Sequence, residues 1–332
     1  MNKIIEFRKD LVSGDWVLIS AQKSKKPMFF TREPTKALPK SKCPFENIVQ
    51  SEQGKNLLWL PKKGKADAKD WLVRVYENKY PVVITNKTCV PVIKRGLYES
   101  TPGNGFQELV IMRDHMKPFG LMDKDEIEII LESYILRYQA LRAAPCMEFI
   151  LILHNSGPRA GASVPHPHSQ IFALPIIPPD VANSLEGSRR YFANTKRCVH
   201  CDMLKSEMKE KIRIIYQNKS FAVIAPYASK VSYEIRIFPK NHESRFEIID
   251  ESRKKDLADA MHVVFRRIYK NLKNPDYNFF IHTAPPKKEN EKHYHWHMEI
   301  LPRLAIWGGL ELGAGIDIVK VSPEEAAKIL RK

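Results

Sequence analysis

The spacing of apolar side chains predicts two long amphipathic helices, over about 123–143 and about 250–272. The apolar positions that recur at helical spacing in the first are Ile127, Ile130, Leu131, Tyr134 and Ile135. Alternating or continuous apolar runs favour strands on either side of each helix. The strand-like segments are QELVIMRD, MEFILILH, HPHSQIFALP, YEIRIFPK, YNFFIH and HYHWHMEILP.

The same order of elements occurs twice along the chain, at matching intervals. His166 follows His115 by 51 positions, and His293 follows His242 by 51. A proline lies nine positions after His166 and nine after His293. The pattern predicts an α+β protein of two tandem halves, each an antiparallel sheet with a helix packed on it. We place the halves at 1–185 and 186–332.

Composition narrows the class of protein without deciding the function. The chain has 332 residues, 43% of them hydrophobic, which is typical of a globular protein and excludes a mostly disordered one. No apolar run is long enough to span a bilayer, and the first residues lack the apolar core of a signal peptide. We therefore expect a soluble, cytoplasmic protein. The net charge of +16 favours anionic partners, nucleic acid or phosphorylated metabolites, but the lysines are scattered.

The segment HPHSQ carries the candidate chemistry. In a strand, His166, His168 and Gln170 would project from one face. The preceding loop contains Gly161 and Ser163, whose backbone could approach phosphate oxygens closely. A neutral imidazole can attack phosphorus, and glutamine can hydrogen-bond but cannot give up a proton. The combination favours transfer of a nucleotidyl group between phosphates, because a phosphate leaving group needs little help from an acid.

These motifs resemble the galactose-1-phosphate uridylyltransferase family, a doubled branch of the histidine-triad superfamily that includes ADP-glucose phosphorylases. The resemblance rests on GASVPHPHSQ, the upstream HNSG, KCPFE, CVHC, FPKNHES and HYHWHMEILP. It implies two histidine-triad-like halves related by a pseudo-two-fold axis. It also implies that His168 is the nucleophile and that Gln170 holds phosphate oxygens. Nucleotide contacts would come from Asn155, Gly161 and Ser163, and from Lys26 in the lysine-rich arm.

The resemblance implies a uridylyltransferase that works through a covalent nucleotidyl-histidine and exchanges a sugar nucleotide with a sugar-1-phosphate. An ADP-glucose-like phosphorylase, which uses phosphate as acceptor, remains an alternative. A zinc-stabilised nucleic-acid-binding protein is a more distant alternative. The base, the sugar and the acceptor stay open at this point. We expect a homodimer, because similar enzymes form one.

The same resemblance implies one zinc site in each half. The first ligand set would be Cys43, Glu46, His115 and His166, with Glu46 at the position where the family has a second cysteine. The second set would be Cys198, Cys201, His242 and His295. A CxxC followed by distant histidines is itself a zinc signal. The repeat spacing instead favours His293 as the fourth ligand, and His282 and His297 are further candidates.

Three other residues carry expectations. His200, inside CVHC, is expected to be exposed and without a role. Cys89 and Cys146 are expected to be plain core residues, because they lie in apolar surroundings. Five cysteines at uneven spacing do not suggest a disulfide framework.

Overall fold

A computed structural model describes residues 4–21, 38–46, 54–64, 70–85, 88–287 and 291–332. Within these ranges the chain forms fifteen strands and six α-helices. The strands are β1 (Ile4–Lys9), β2 (Trp16–Ala21), β3 (Asn56–Leu60), β4 (Val73–Glu77), β5 (Ile93–Arg95), β6 (Tyr98–Ser100), β7 (Phe106–Met112), β8 (Phe149–Ser156), β9 (His168–Leu174), β10 (Ile214–Gln217), β11 (Phe221–Ile224), β12 (Ile235–Pro239), β13 (Tyr277–His282), β14 (His297–Pro302) and β15 (Asp317–Val319). The helices are α1 (Lys124–Arg142), α2 (Pro179–Thr195), α3 (Val199–Glu210), α4 (Glu251–Asn271), α5 (Gly309–Ala314) and α6 (Pro323–Leu330).

Both long predicted helices are present and begin at an aspartate. Asp123 accepts a hydrogen bond from the Glu126 backbone N–H, and the Glu126 side chain accepts one from the Asp123 backbone N–H. Asp250 accepts from the Arg253 N–H in the same way at α4. Such caps satisfy amides that have no partner within the helix and fix where it starts. The two predicted helices are confirmed to within a residue or two at each end.

Ten strands form one antiparallel sheet in the order β10-β11-β12-β14-β13-β8-β9-β7-β4-β3. Five strands from the second half of the chain therefore continue directly into five from the first. The junction is the antiparallel pair β8–β13, in which Asn155 lies opposite Asn278 and His154 opposite Phe279. Each half thus contributes five antiparallel strands, and the two sets form a single sheet because β8 and β13 pair along their edges.

The two faces of this sheet differ. Helices α1 and α4 pack on one face, and alternate residues of the central strands, such as Ile171, Phe279 and Met298, join their core. Since side chains alternate along a strand, the residues between them point to the opposite face. There the central strands carry polar side chains, and these are Gln107, Gln170, His168, Asn155, Asn278, His282, His297 and Glu299. The candidate chemistry lies on the face away from α1 and α4.

A second, three-stranded sheet joins the two ends of the chain. Strand β15 pairs in parallel with β2, which pairs with β1. Arg8 of β1 forms an ion pair of 2.9 Å with Glu324 of α6. Helix α2 runs continuously through the predicted boundary at 185/186. The first strands of the chain are thus held by its last residues.

The interpretation of Cys89 and Cys146 as separate core residues was wrong. They form a disulfide between the segment after β4 and the turn that follows α1, 57 positions apart. Cys89 is exposed and Cys146 is half-buried. The apolar residues beside Cys89 in the sequence suggested burial. They lie in an exposed loop, so their apolar character does not indicate a core position.

Candidate functional site

His168 is the first residue of β9, and its ring is held in one orientation and one protonation form. Its Nδ1–H donates to the His166 carbonyl oxygen at 2.9 Å, which leaves the lone pair on Nε2. Burial lowers the pKa of His168, because charging the ring would cost solvation. Phe45 packs against the ring edge to face, with centroids 5.0 Å apart. The result is a neutral imidazole with an available nitrogen, as a nucleophile requires.

Gln170 projects from the same face as His168, two residues along β9. His166 lies just before the strand, so the expected row of three side chains on one strand holds for His168 and Gln170 only. The Gln170 Oε1 accepts a hydrogen bond of 2.8 Å from Gln107 Nε2 on β7. The Gln107 Oε1 in turn accepts from the Val82 backbone N–H at 2.9 Å.

The loop between β8 and β9 has the backbone that its glycines suggested. Gly157 and Gly161 both have positive φ, 85° and 84°. A side chain at Gly157 would collide with the carboxylate of Asp276. That carboxylate accepts from the Arg159 backbone N–H at 2.9 Å and so fixes the start of the turn. Gly161 and Ser163 are exposed, where a ligand can reach them.

Asn155, at the end of β8, is tied to the second half of the chain. Asn278 Nδ2 donates to the Asn155 Oδ1 and to the Ala160 carbonyl oxygen, each at 2.8 Å. Gln107, Asn278 and Asp276 therefore support the site, although the sequence interpretation did not include them. The sequence could have indicated only Gln107 and Asn278. Both lie at strand positions whose alternation places polar side chains on the functional face.

Three of the four residues of the first predicted ligand set come together beside His168. Ligand atoms of Cys43, His115 and His166 all lie within 4.8 Å of one another. The Nδ1 atoms of the two histidines are 3.1 Å apart. His115 Nε2 bonds the Leu38 carbonyl at 2.5 Å and His166 Nε2 bonds the Met112 carbonyl at 2.6 Å. Because these carbonyl oxygens accept hydrogen bonds from Nε2–H, each Nδ1 carries a lone pair, and the two lone pairs point at each other. A shared cation favours this arrangement.

Glu46 lies beside this cluster. Its Oε1 is 3.4 Å from His115 Nδ1 and 3.9 Å from His166 Nδ1. The same oxygen is buried and has no hydrogen-bond partner among the described residues. Burial is the main cause of the raised pKa of the Cys43 thiol, and Glu46 adds to it. A cation between these groups would satisfy the carboxylate oxygen and favour the thiolate.

The second predicted set also comes together. Cys198, Cys201, His242 and His295 place their ligand atoms within 4.8 Å of one another. Cys201 Sγ is 3.4 Å from Nδ1 of both His242 and His295. Cys198 caps the first turn of α3, so the CxxC spans a helix N-terminus. Hydrogen bonding from Cys201 lowers the pKa of Cys198, which favours a thiolate there.

The ring of His293, the alternative from the repeat spacing, is not part of this ligand cluster, although the Cys198 thiol donates to the His293 carbonyl oxygen at 3.6 Å. Its Nδ1 is 3.0 Å from a Glu291 oxygen. The physical equivalent of His166 is His295, because each lies two residues before its strand and each gives its carbonyl to the next histidine. His297 Nδ1 donates to the His295 carbonyl oxygen at 3.2 Å, as His168 does to that of His166.

A third cluster consists of His282, His297 and Glu299, again within 4.8 Å. His282 Nε2 is 3.0 Å from Glu299 Oε2. Arg236 Nη2 is 3.6 Å from Glu299 Oε1. Although burial opposes it, Arg236 and His282 hold the pKa of Glu299 well below its usual value. This carboxylate lies on the same sheet face as Gln170, and with His282 and His297 it forms a group that could hold a cation.

Two remaining expectations have different outcomes. His200 is 2% exposed, so the expectation of an exposed residue was wrong. The first turn of α3 presses its ring against His297, with centroids 5.2 Å apart, and burial lowers its pKa to about 3. Lys26 lies outside the described residues.

None of the helices in the described ranges is long and apolar enough to cross a membrane.

Two family models cover most of the chain. The N-terminal domain of galactose-1-phosphate uridyl transferase matches residues 4–178, and the C-terminal domain of the same enzyme matches residues 184–306. The chain belongs to this family. The family assignment made from HPHSQ is confirmed, and the protein is a nucleotidyl-transferring enzyme of the uridylyltransferase type.

Individual relatives match over nearly the full length. ADP-glucose phosphorylase of Arabidopsis thaliana is 35% identical over 338 aligned positions, covering 100% of this chain and 93% of the relative. Galactose-1-phosphate uridylyltransferase of Thermotoga maritima is 28% identical, covering 99% and 98%. The crystal structure of the Arabidopsis thaliana ADP-glucose phosphorylase with bound ADP-glucose superposes with a TM-score of 0.82 at 32% identity, covering 99% and 98%. A uridylyltransferase structure superposes at 0.74 with 26% identity, covering 99% and 97%.

Proposed function

We propose that the protein transfers a uridylyl group from UDP-glucose to a hexose-1-phosphate, with galactose-1-phosphate as the expected acceptor, through a covalent intermediate on His168. The observation that supports this most is the state of His168. Its proton is held on Nδ1 by the His166 carbonyl, and its burial keeps the ring neutral.

In the first step, His168 Nε2 attacks the α-phosphorus. An N–P bond forms, and the bond between that phosphorus and the bridging oxygen breaks with its electron pair. Glucose-1-phosphate leaves as a phosphate anion, so no acid is needed. The ring gains positive charge, and the His166 carbonyl accepting from Nδ1–H stabilises it. Gln170, and the exposed turn around Gly161 and Ser163, would hold the phosphate oxygens.

In the second step, a phosphate oxygen of the hexose-1-phosphate attacks the same phosphorus. The N–P bond breaks, its electrons return to Nε2, and the neutral ring is regenerated. Both steps use one set of groups in opposite directions, which is ping-pong chemistry. A glutamine suits this reversal, because it assists either step without gaining or losing a proton.

We propose zinc in the two thiolate-containing clusters. Thiolate and imidazole are the donors that structural zinc prefers. Cys198, Cys201, His242 and His295 would form a complete four-ligand site, and Cys43, His115, His166 and Glu46 another with one carboxylate. Zinc in the Cys43 cluster is supported by the buried Glu46 oxygen, which has no hydrogen-bond partner among the described residues, and by the facing Nδ1 atoms of its two histidines. Zinc there would hold His166, and through its carbonyl the orientation of His168.

The phosphorylase reaction, with inorganic phosphate as the acceptor, is a second candidate. It is supported by the 35% identity to an ADP-glucose phosphorylase. The first step is the same in both candidates, so His168 and Gln170 keep their roles. Only the nucleotide and the acceptor differ.

Intact-mass measurement tests the proposal. Protein incubated with UDP-glucose, and separately with ADP-glucose, should gain one nucleoside monophosphate that is lost in acid. His168→Ala should gain none. The labelled protein is then offered galactose-1-phosphate or phosphate to identify the acceptor. An absent adduct with both sugar nucleotides, or an adduct that persists in His168→Ala, contradicts the proposal. Nucleic-acid binding that survives His168→Ala, without any adduct, would favour the nucleic-acid alternative.

Two further proposals concern the duplication within the chain and its assembly into a dimer. We propose two duplicated histidine-triad-like halves, 1–185 and 186–332, supported by the mirror-like strand order on either side of β8–β13. We propose a homodimer, for which the exposed apolar side chains of Leu97 and Tyr98 provide a surface. Cytoplasmic localisation and phosphate binding by Lys26 stay predictions from the sequence.

A further inference from the structure

The amide group of Gln170 has only one orientation that its surroundings allow. The chain of hydrogen bonds starts at the Val82 backbone N–H, which can only donate. It lies 2.9 Å from one end of the Gln107 amide, so that end is the oxygen. The other end of Gln107 is therefore the NH2 group, and it lies 2.8 Å from Gln170. The Gln170 atom that accepts this bond is its oxygen.

This chain of contacts settles which group Gln170 presents to a ligand. With its oxygen occupied by Gln107, its NH2 group is the end left to donate. A phosphate oxygen accepts hydrogen bonds and would be repelled by an amide oxygen. The orientation set by Gln107 is the one that binds phosphate beside His168. Without it, a glutamine amide could rotate between its two ends at little cost.

Gln107 is built to hold this orientation. It is 8% exposed and lies on β7, the neighbour of β9 in the sheet. Its own backbone is fixed as well, because its carbonyl accepts from the Asn78 N–H at 2.9 Å. Both ends of the buried amide are bonded by described residues, and reversing it would place two donors, Val82 N–H and its own NH2, face to face.

The same arrangement occurs on the other side of His168. Asn278 bonds the Ala160 carbonyl, which can only accept, so the bonding atom of Asn278 is its NH2 group. That same group donates to Asn155 and so turns the Asn155 NH2 away from Asn278. Two amides that flank the nucleophile are thus oriented by two further amides, each anchored on backbone.

We propose that Gln107 is a positioning residue for nucleotidyl transfer, which acts by fixing the Gln170 NH2 group toward the phosphate. The inference rests on the proposed function, since it assumes that Gln170 holds phosphate oxygens during attack by His168. Gln107 itself touches no reacting atom, so its whole effect on the rate passes through Gln170.

A double-mutant cycle tests this dependence. The measurement is the single-turnover rate of nucleotidyl-His168 formation from the sugar nucleotide that labels the wild type. We expect Gln170→Met to slow it about 100-fold, as loss of a donor to a developing charge does. Gln107→Met should slow it about 10-fold, as loss of a supporting residue does. The double variant should be no slower than Gln170→Met. Multiplied losses, about 1000-fold, or a wild-type rate in Gln107→Met, would overturn the proposal.

A second variant reverses the amide instead of removing it. Gln107→Glu keeps the acceptor for Val82 N–H but offers Gln170 only an acceptor, so Gln170 must turn its NH2 away from the phosphate. We expect a loss of about 100-fold. Asn78→Asp is the matched control, because it adds the same charge next to Gln107 and keeps the acceptor for the Tyr80 N–H. It should stay within about threefold of wild type. If Gln107→Met does not fold, this pair decides, and equal losses in the two overturn the proposal.

Failure of this inference is distinguishable from failure of the proposed function. A wild type that gains no nucleotidyl group, or a labelled His168→Ala, removes the proposed function and the positioning role with it. A labelled wild type, an unlabelled His168→Ala and multiplied losses in the cycle remove only the positioning role of Gln107.

Discussion

Strands β9 and β14 begin in the same way and end up with different chemistry. Each starts with a histidine whose Nδ1–H donates to the carbonyl of a histidine two residues before it, His168 to His166 and His297 to His295. Two residues further, β9 has Gln170 and β14 has Glu299. The amide offers N–H donors to phosphate, whereas the carboxylate bonds His282 and lies near Arg236. The backbone frame is shared, and the two side chains differ in one group, an amide NH2 in Gln170 and a second carboxylate oxygen in Glu299.

The largest expected difference between the two strands concerns the histidines. His168→Ala should lower nucleotidyl transfer by at least about 10⁴-fold, because it removes the nucleophile. His297→Gln should leave formation of the adduct on His168 detectable, because its ring faces Glu299 and His282. Intact mass after incubation with the sugar nucleotide measures both. An unlabelled His297→Gln that is folded by circular dichroism would show that the two strands act together and would break the comparison.

The next difference concerns the position two residues along. Gln170→Glu should slow adduct formation at least about 100-fold, because a carboxylate repels the phosphate. Glu299→Gln should retain adduct formation but lower the free energy of unfolding by about 3 kcal/mol, because it leaves Arg236 buried and less well paired. Rapid-quench labelling and urea unfolding measure the two effects. If Gln170→Glu and Glu299→Gln change the labelling rate and the free energy of unfolding by equal amounts, the two positions do not have different roles.

The two proposed zinc sites beside the strands differ in one proposed ligand, Glu46 in the first and a cysteine in the second. Cys201→Ser should remove about one zinc per chain, since the second set then keeps three good ligands of four. Glu46→Cys should tighten zinc at the first set roughly tenfold, because thiolate is the softer donor. Zinc content after dialysis against a competing chelator measures both, with wild type as reference. A Glu46→Cys protein that holds zinc no better than wild type would show that Glu46 is not a ligand.

The sequence was informative where a local pattern decides the structure. Helices α1 and α4 follow from apolar spacing and from their aspartate caps, Asp123 and Asp250. The two cysteine-containing clusters were expected from the family resemblance, since their ligands lie up to 123 positions apart in the chain. His168 and Gln170 follow from HPHSQ. For the two helices and for HPHSQ, neighbours within a few residues determine which way the side chains point.

Contacts across the sheet could not be predicted in this way. The pairing of β8 with β13, which merges two sheets, depends on edges that look alike in sequence. The support of Gln170 by Gln107 spans 63 positions. His200 is buried because its ring packs against Phe238 and His297 of the sheet, a contact that CVHC does not encode. The repeat spacing favoured His293 because it assumed the same interval of 51 positions after His115 and after His242, whereas the interval from His242 to the equivalent residue, His295, is 53.

The smallest expected effect concerns the junction of the two halves, the strand pair β8–β13, in which His154 lies opposite Phe279. Their rings stack with centroids 5.1 Å apart, and His154 Nδ1 bonds the Ser169 hydroxyl at 3.1 Å. Burial lowers the pKa of His154 to about 3. The unfolded chain binds this proton near pH 6.5, so the folded state should lose stability as pH falls below 6.5, by about 1.4 kcal/mol per pH unit until about pH 3.

His154→Phe makes the two facing positions alike and removes this dependence. Its free energy of unfolding should therefore fall less than that of wild type, by about 1.4 kcal/mol, between pH 7.5 and 5.5. Urea unfolding at the two pH values measures it. Other buried histidines contribute equally to both proteins, so they cancel in the difference. Loss of the Ser169 bond shifts the variant by about 1 kcal/mol at both pH values alike. Equal pH dependence in the two proteins would mean that His154 is charged inside the fold, and that the junction is not the dry, symmetric contact its packing indicates.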